Sequence, residues 1–167
     1  MTTPITPGPT GPELLALELA ARHQGTGLVA GDLEGCWQLA QVWPKGQSRP
    51  ARFSGAALRA VGARLELSLV AGSLVLSNVV SLASLELRFR GRGQLVGRRP
   101  LLAFHFDQVE LNLAGKQMFC IPLPQPSSSR QQPFFALIAR HPDGWLAARG
   151  RGGGLALWTK VHPAPIG

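Results

Sequence analysis

Several residue types are scarce in this sequence. Tyrosine is absent, and the 167 residues include only two cysteines, two methionines and nine acidic side chains. Cys36 and Cys120 are too few for a disulfide framework, and the N-terminus does not resemble an export signal, so we expect reduced, structural thiols. No apolar run approaches the roughly 18 residues of a membrane-spanning helix. The absences argue against a disulfide-rich secreted domain and a helical membrane protein.

The charge that is present is mostly positive. Lysine and arginine contribute 17 residues, 14 of them arginine, and the formal net charge is +8. Such an excess attracts anionic surfaces, whether lipid headgroups or nucleic acid, without choosing between them. Hydrophobic residues make up 45% of the chain, which indicates a folded core, and the length suits one domain.

Hydrophobic residues alternate with polar ones along most of the chain. Leu65, Leu67 and Leu69 share one parity, and similar runs cover residues 37–43, 74–82, 85–90 and 102–113; apolar segments at 134–139, 145–149 and 155–160 predict the last three strands. Alternation of this kind predicts strands with one dry face and one wet face. Turn signals separate the short runs, which favours an all-β fold, a lipocalin-like (calycin) antiparallel up-and-down barrel of about eight strands.

The remaining segments complete a single-domain organisation. Residues 1–12 contain four prolines and two glycines, which predicts a flexible tail, and residues 13–23 predict a short helix whose charges suit its dipole. The domain is expected to span residues 13–162, with the barrel from 33 to 160. The apolar parity changes at Asp107 and Gln108, which predicts a β-bulge or a tight bend.

Catalytic and metal-binding motifs are not evident. The four histidines are scattered, and no phosphate loop, dinucleotide fingerprint or pair of cysteines at zinc spacing occurs. His105 and Asp107 lie on one side of a strand and could pair, but no nucleophile accompanies them. The glycines at 150–154 precede a strand rather than a helix, so they indicate a turn. We therefore predict no catalytic residue, no metal and no cofactor.

An apolar ligand site is the alternative that the strands suggest. Asn78 falls on the inward parity among leucines and valines, where a buried amide needs a partner. It could bond to neighbouring backbone or anchor a ligand in a largely apolar cavity. Ordinary core packing competes with ligand contact for the aromatic residues expected inside the barrel: Trp37, Phe89, Phe104, Phe106 and Trp145.

Five arginines are close together in sequence and could form a cationic surface: Arg88, Arg90, Arg92, Arg98 and Arg99. A solvated face is the simplest interpretation. Docking on an anionic bilayer is the second, since each cation near such a surface contributes about 1 kcal/mol. Nucleic acid is disfavoured, because no aromatic side chains are interleaved for base stacking.

Short motifs along residues 33–160 resemble the plastid lipid-associated proteins, or fibrillins, in their short cyanobacterial form. Gly35, Trp37 and Leu39 fit the Gly-x-Trp-x-Leu of the first strand. Asn78 begins an Asn-Val-Val that fits the middle motif, and residues 122–124 fit the Pro-rich loop. Near the end of the chain, Arg149 and its following glycine fit an Arg-Gly motif.

The resemblance implies a lipocalin-like protein, peripheral to the thylakoid membrane, that binds or carries a lipid, quinone, carotenoid or fatty acid without catalysis. It makes Arg149 a polar position of the ligand site. One alternative is a bilin lyase or chaperone of similar fold, in which Arg149 would hold a tetrapyrrole carboxylate. A second is a structural, membrane-associated assembly protein with a fully packed interior.

Overall fold

The computed structural model describes residues 8–47, 49–50 and 63–162. These residues form one helix, two short 3-10 helices (Ala30–Leu33 and Ser129–Gln131) and nine strands. The helix is α1 (Gly11–Gln24), and the strands are β1 (Gly35–Trp43), β2 (Arg64–Val70), β3 (Ser73–Leu82), β4 (Leu85–Val96), β5 (Leu101–Leu113), β6 (Lys116–Pro122), β7 (Phe134–His141), β8 (Trp145–Gly150) and β9 (Leu155–Val161). The predicted all-β fold with an N-terminal helix is confirmed.

Helix α1 begins two residues earlier than the sequence predicts. Thr10 is its N-cap, and the side chains of Thr10 and Glu13 bond reciprocally to each other's backbone in a capping box. Pro12 lies in the first turn, where its missing N–H costs no helical hydrogen bond. Residues 11 and 12 therefore belong to the helix instead of the expected tail, of which residues 1–7 lie outside the described residues.

The sheet closes into a barrel-like ring of eight strands, although not evenly about one axis. The order around the ring is β1-β2-β3-β4-β5-β7-β8-β9, and every pairing is antiparallel. One edge of β5 is shared, since Leu101 to Ala103 pair with β7 whereas Gln108 to Leu113 pair with β6. The ring is thus closed at one end, and β3, β4, β5 and β6 extend beyond it at the other.

A bulge in β5 marks the transition between these two ends. Arg90 pairs with Gln108 and Gly91 pairs with Phe106, so Asp107 is the extra residue. A β-carbon on Gly91 would lie 1.8 Å from the carbonyl oxygen of His105, which excludes any other residue there. The bulge predicted at residues 107 and 108 is confirmed, and β5 continues through it to Leu113.

Side chains fill the closed end of the barrel. The fully buried Trp37, Leu76, Leu102, Leu137 and Leu146 belong to one core cluster. Helix α1 packs outside the barrel, where Leu14 joins a second cluster that includes Trp43 and residues of β7, β8 and β9. The interior of the barrel is therefore apolar, as the sequence predicts. At this end it is filled by side chains and is not the hollow that a ligand would need.

Candidate functional site

The inner face of the sheet stays apolar where the strands extend beyond the ring. Cross-strand pairs share a face, and Leu82 pairs with Leu85, which pairs with Leu113. In the next row Val80, Leu87, Leu111 and Phe119 are cross-strand neighbours. Together with the row below, they form what we call the open apolar face: Val80, Leu82, Leu85, Leu87, Phe89, Val109, Leu111, Leu113, Phe119 and Ile121.

Much of this face is in contact with solvent. Leu82 is 61% exposed, Phe119 60% and Ile121 55%, although all three lie on the face that forms the core at the other end of the barrel. A contiguous apolar surface rimmed by polar residues marks a binding surface in soluble proteins. The described residues thus present an apolar site at the open end, next to the packed core.

Asn78 lies on the inner face, as the sequence predicts. Its cross-strand neighbours are Leu65 and Phe89, so its amide is in the row where the open apolar face meets the core. The residue is exposed rather than buried, so the expectation of a buried amide is wrong. Its amide can therefore bond to water or to a ligand's polar group.

A continuous chain of aromatic rings connects the open apolar face to the core. Phe89 is 5.5 Å from Phe106, which is 5.4 Å from Phe104, between ring centroids. Phe104 stacks on Phe135 at 5.2 Å, and Phe135 contacts Trp158 edge-on at 5.3 Å. Three of the predicted ligand-binding residues, Phe89, Phe104 and Phe106, are therefore brought together. Trp37 is fully buried in the same core, and its indole N–H donates to the Leu33 carbonyl.

Trp145 and Arg149 lie outside the barrel, which corrects the prediction that they line its interior. Trp145 stacks on His141 with ring centroids 5.1 Å apart and packs against the cluster beneath α1. Alternation within β8 places Leu146 and Ala148 inside, so the residues between and beside them face outward. The sequence could not distinguish the inner face from an outer face covered by a helix, because both are apolar.

Arg149 binds Glu18 of helix α1. Its Nη2 is 2.5 Å from Oε2 of Glu18, and Arg99 and Arg22 contact Oε1 of the same carboxylate at 2.9 and 3.2 Å. The hydrogen bond from Arg149 lowers the pKa of Glu18 to about 2, because it favours the ionised carboxylate. Glu18 is buried between these cations, and we call the four residues the Glu18 cluster. It fastens the helix to the barrel.

The five predicted membrane-facing arginines do not form one free cationic face. Arg88 bonds to Glu66 and Glu86, and Arg99 belongs to the Glu18 cluster. Arg90 lies 3.6 Å from Glu110. Arg92 and Arg98 are exposed, and no ion pair is found for them among the described residues. Three of the five charges are thus compensated within the protein.

The outer face behind the open apolar face carries an ion-pair network. Arg64 contacts Glu66 and Glu86 at 2.9 Å each, and Arg88 contacts the same two carboxylates. Burial raises the pKa of Glu66, but the hydrogen bonds from Arg88 and Arg64 outweigh it and lower the pKa overall. Arg64 and Arg88 are the two cross-strand neighbours of Val79, which is fully buried on this outer face. The charges of this outer face therefore compensate one another, whereas the open apolar face on the other side of the sheet has no such partner among the described residues.

Cys36 and Cys120 are both free thiols on this outer side of the sheet. Burial raises the pKa of the half-buried Cys36 thiol, and Glu66 adds to the effect, so it is a poor nucleophile at neutral pH.

His105 and Asp107 pair at 3.1 Å, as the sequence spacing allowed. Within the described residues, no three His, Cys, Asp or Glu side chains converge as a metal site.

The comparisons with known proteins add no family. No family model matches the chain, and no curated protein is significantly similar to it. The resemblance to fibrillins therefore stays a prediction. Among the described residues, no helix has the length and apolar character needed to cross a bilayer.

Strand β6 and the tips of two hairpins are the parts of the site that sequence reasoning missed. Residues 116–122 do not alternate, because Met118 is an extra residue between the pairs formed by Gln117 and Phe119. Leu82, Leu85 and Leu113 had the correct parity but were expected in the core. A cluster of Met, Phe, Cys and Ile at 118–121 was the available signal for a further strand.

Proposed function

We propose that this protein binds a lipid or isoprenoid molecule on the open apolar face, without catalysing a reaction. The supporting observation is that six of the ten residues of the open apolar face are exposed and the other four are half-buried, in cross-strand rows that continue the packed core. A fatty acyl or prenyl chain that buries about 300 Å² of apolar area there would gain about 7 kcal/mol before ordering costs.

The packed core favours a ligand position at the open end of the barrel over one deep inside it. Trp37 and Leu76 are fully buried in the closed end, so a chain entering from the open end would stop near Phe89 and Phe106. Asn78 is a polar group near its path, as is Lys160, whose Nζ lies 5.4 Å from the centre of the Trp37 ring. The Asn78 amide can bond a ligand carbonyl, hydroxyl or carboxylate. A quinone, carotenoid or fatty acid near a thylakoid membrane remains the ligand class that we favour.

The contacts of the structure bear differently on the two alternative functions, a bilin lyase and a structural protein. A bilin lyase would need Arg149 for a tetrapyrrole carboxylate, but Glu18 already binds that guanidinium. A structural role agrees with the packed closed end but leaves the exposure of Leu82 and Phe119 unexplained. We therefore favour ligand binding.

The experiment compares ligand binding by two matched double variants. Leu82→Asn with Leu85→Asn makes the face polar at exposed positions, whereas Leu15→Asn with Leu19→Asn changes exposed leucines on the outer side of α1. We expect the first pair to weaken binding of a fluorescent fatty acid about tenfold, since roughly 1.4 kcal/mol of apolar contact is lost. The control pair should bind like the unchanged protein.

A second measurement tests the role of Asn78. We expect Asn78→Leu to weaken binding of a fatty acid but not of a hydrocarbon of equal length, because only the acid has a group for the amide. Equal binding by both double variants, together with no apolar molecule in an organic extract of the purified protein, would overturn the proposed function.

A further inference from the structure

We propose that strand β6 pairs antiparallel with β6 of a second copy of this chain, so that two barrels share one continuous sheet. The proposal concerns the free edge of the sheet and is independent of whether a lipid binds.

Strand β6 is an edge strand of the sheet whose central residues are not covered by another described strand. It pairs with β5 on one side, and no described strand pairs with its other side. All seven of its residues are exposed, among them Met118, Phe119 and Ile121. Edge strands in soluble proteins are normally blunted by inward charges, proline or covering segments. Here Lys116 and Pro122 stand at the two ends and Met118 forms a bulge, so the stretch that is open to pairing is residues 119–121.

The backbone directions favour one register. The N–H of Leu123 donates to the carbonyl of Asp107, so residues of its parity, such as Ile121 and Phe119, direct their backbone groups toward β5. The N–H and carbonyl of Cys120 therefore point to the free edge. Pro122 also faces that edge, but it has no N–H, so it can contribute only its carbonyl to a ladder with a second copy. A two-fold axis at Cys120 would pair the two Cys120 residues through both of their hydrogen bonds.

The side chains are compatible with this two-fold pairing. Phe119 would lie opposite Ile121 of the partner subunit on the inner face, so the open apolar faces of both copies would join. No charged residues would oppose each other, since the one charged residue of β6, Lys116, is at its far end. A self-complementary patch of this kind gives a closed dimer. Chemistry and geometry thus favour a second copy of the chain over a different protein.

Sedimentation equilibrium tests the pairing with a charge placed on the axis. We expect a species of twice the 17.8 kDa chain mass, and Cys120→Lys should raise its dissociation constant by about tenfold or more, since two ammonium groups would be opposed. Thr159→Lys is the matched control. Thr159 is exposed on β9, a strand that is paired on both edges, so this change should leave the dimer unchanged. A monomeric unchanged protein, or a dimer that tolerates Cys120→Lys, would overturn the proposal.

Disulfide trapping tests the register. In a Cys36→Ser background, an added copper–phenanthroline oxidant accepts two electrons as the two Cys120 thiols lose their protons and form one bond. Paired residues in such a ladder lie about 5.5 Å apart between α-carbons, within disulfide range. We expect fast cross-linking through Cys120 but slow cross-linking when the lone cysteine is moved to position 121. Equal rates would contradict the register.

Dimerisation and lipid binding can fail separately. Cys120 lies on the outer face, so Cys120→Lys leaves the open apolar face intact, and circular dichroism verifies its fold. A monomer that still binds the fluorescent fatty acid would sustain the proposed function alone. A dimer that binds no fatty acid would sustain the pairing alone.

Discussion

The inner face of the sheet is apolar at both ends of the barrel, but it is buried at one end and exposed at the other. On β3, Leu74 and Leu76 are buried in the core, whereas Val80 and Leu82, on the same face of the same strand, are exposed. The outer face is covered in both regions, by ion pairs over Val79 at the open end and by α1 over β7, β8 and β9 at the closed end. Alternation therefore specifies which way a side chain points, while the surrounding strands determine whether anything covers it.

The largest effect is expected where the two ends meet. Gly91→Ala should cost more than about 4 kcal/mol or prevent folding, since its new β-carbon would collide with the backbone of β5. Gly93→Ala is the control on the same strand and face, where the nearest atom is the movable Leu102 side chain at 3.1 Å. Urea unfolding should separate the two variants, and similar midpoints would contradict the role of the bulge.

Removing one leucine from each end measures the contrast directly. Leu76→Ala should lower the free energy of unfolding by about 2–5 kcal/mol, because it leaves a cavity in packed core. Leu82→Ala, six residues along the same strand, should change it by less than about 0.5 kcal/mol, because its side chain is already exposed. Denaturant titration of both variants measures the difference. If Leu82→Ala proved as costly as Leu76→Ala, the open end would have to be covered.

Acid should weaken the attachment of α1 at the closed end. The folded pKa of Glu18 is about 2, below its ordinary 4.5, so its stabilising effect is complete above about pH 4.5 and is lost as the pH falls toward 2. We expect the unchanged protein to lose more stability than Glu18→Gln between pH 5 and pH 2.5. Thermal unfolding of both proteins across that range provides the measurement. Parallel pH profiles would show that Glu18 is not held in its charged form.

The smallest effect is expected at a hairpin tip of the open end. Ala83 has φ of 51°, a left-handed conformation that alanine adopts with strain. Ala83→Gly should raise the free energy of unfolding by about 0.5–1 kcal/mol. Ala103→Gly, within β5, should instead destabilise the protein. The two changes can be compared by thermal unfolding, and equal shifts of the same sign would argue against strain at residue 83.

The alternation of hydrophobic residues in the sequence predicted much of the fold but little of the site. Strong alternation in β2 and the parity change at Asp107 predicted strands and a bulge that the structure contains. The bulge at Met118 disrupted the same signal in β6, so that strand was missed. Trp145 and Arg149 were misplaced because β8 is covered on both faces, by the core and by α1. Glu66, one of the two partners of Arg88, and Glu18, the partner of Arg99, come from distant segments, which one-dimensional patterns do not reveal.

The extra residue at Asp107 has a consequence for how this chain can change length. It allows Phe104 and Phe106, on even positions, to face the same way as Val109 and Leu111, on odd positions. Deleting that one residue would turn one of the two sets toward the outside, whereas deleting a pair of residues elsewhere in β5 would preserve orientation. Insertions or deletions in this strand therefore preserve the inner face only if the last inward residue before the bulge and the first one after it remain an odd number of residues apart.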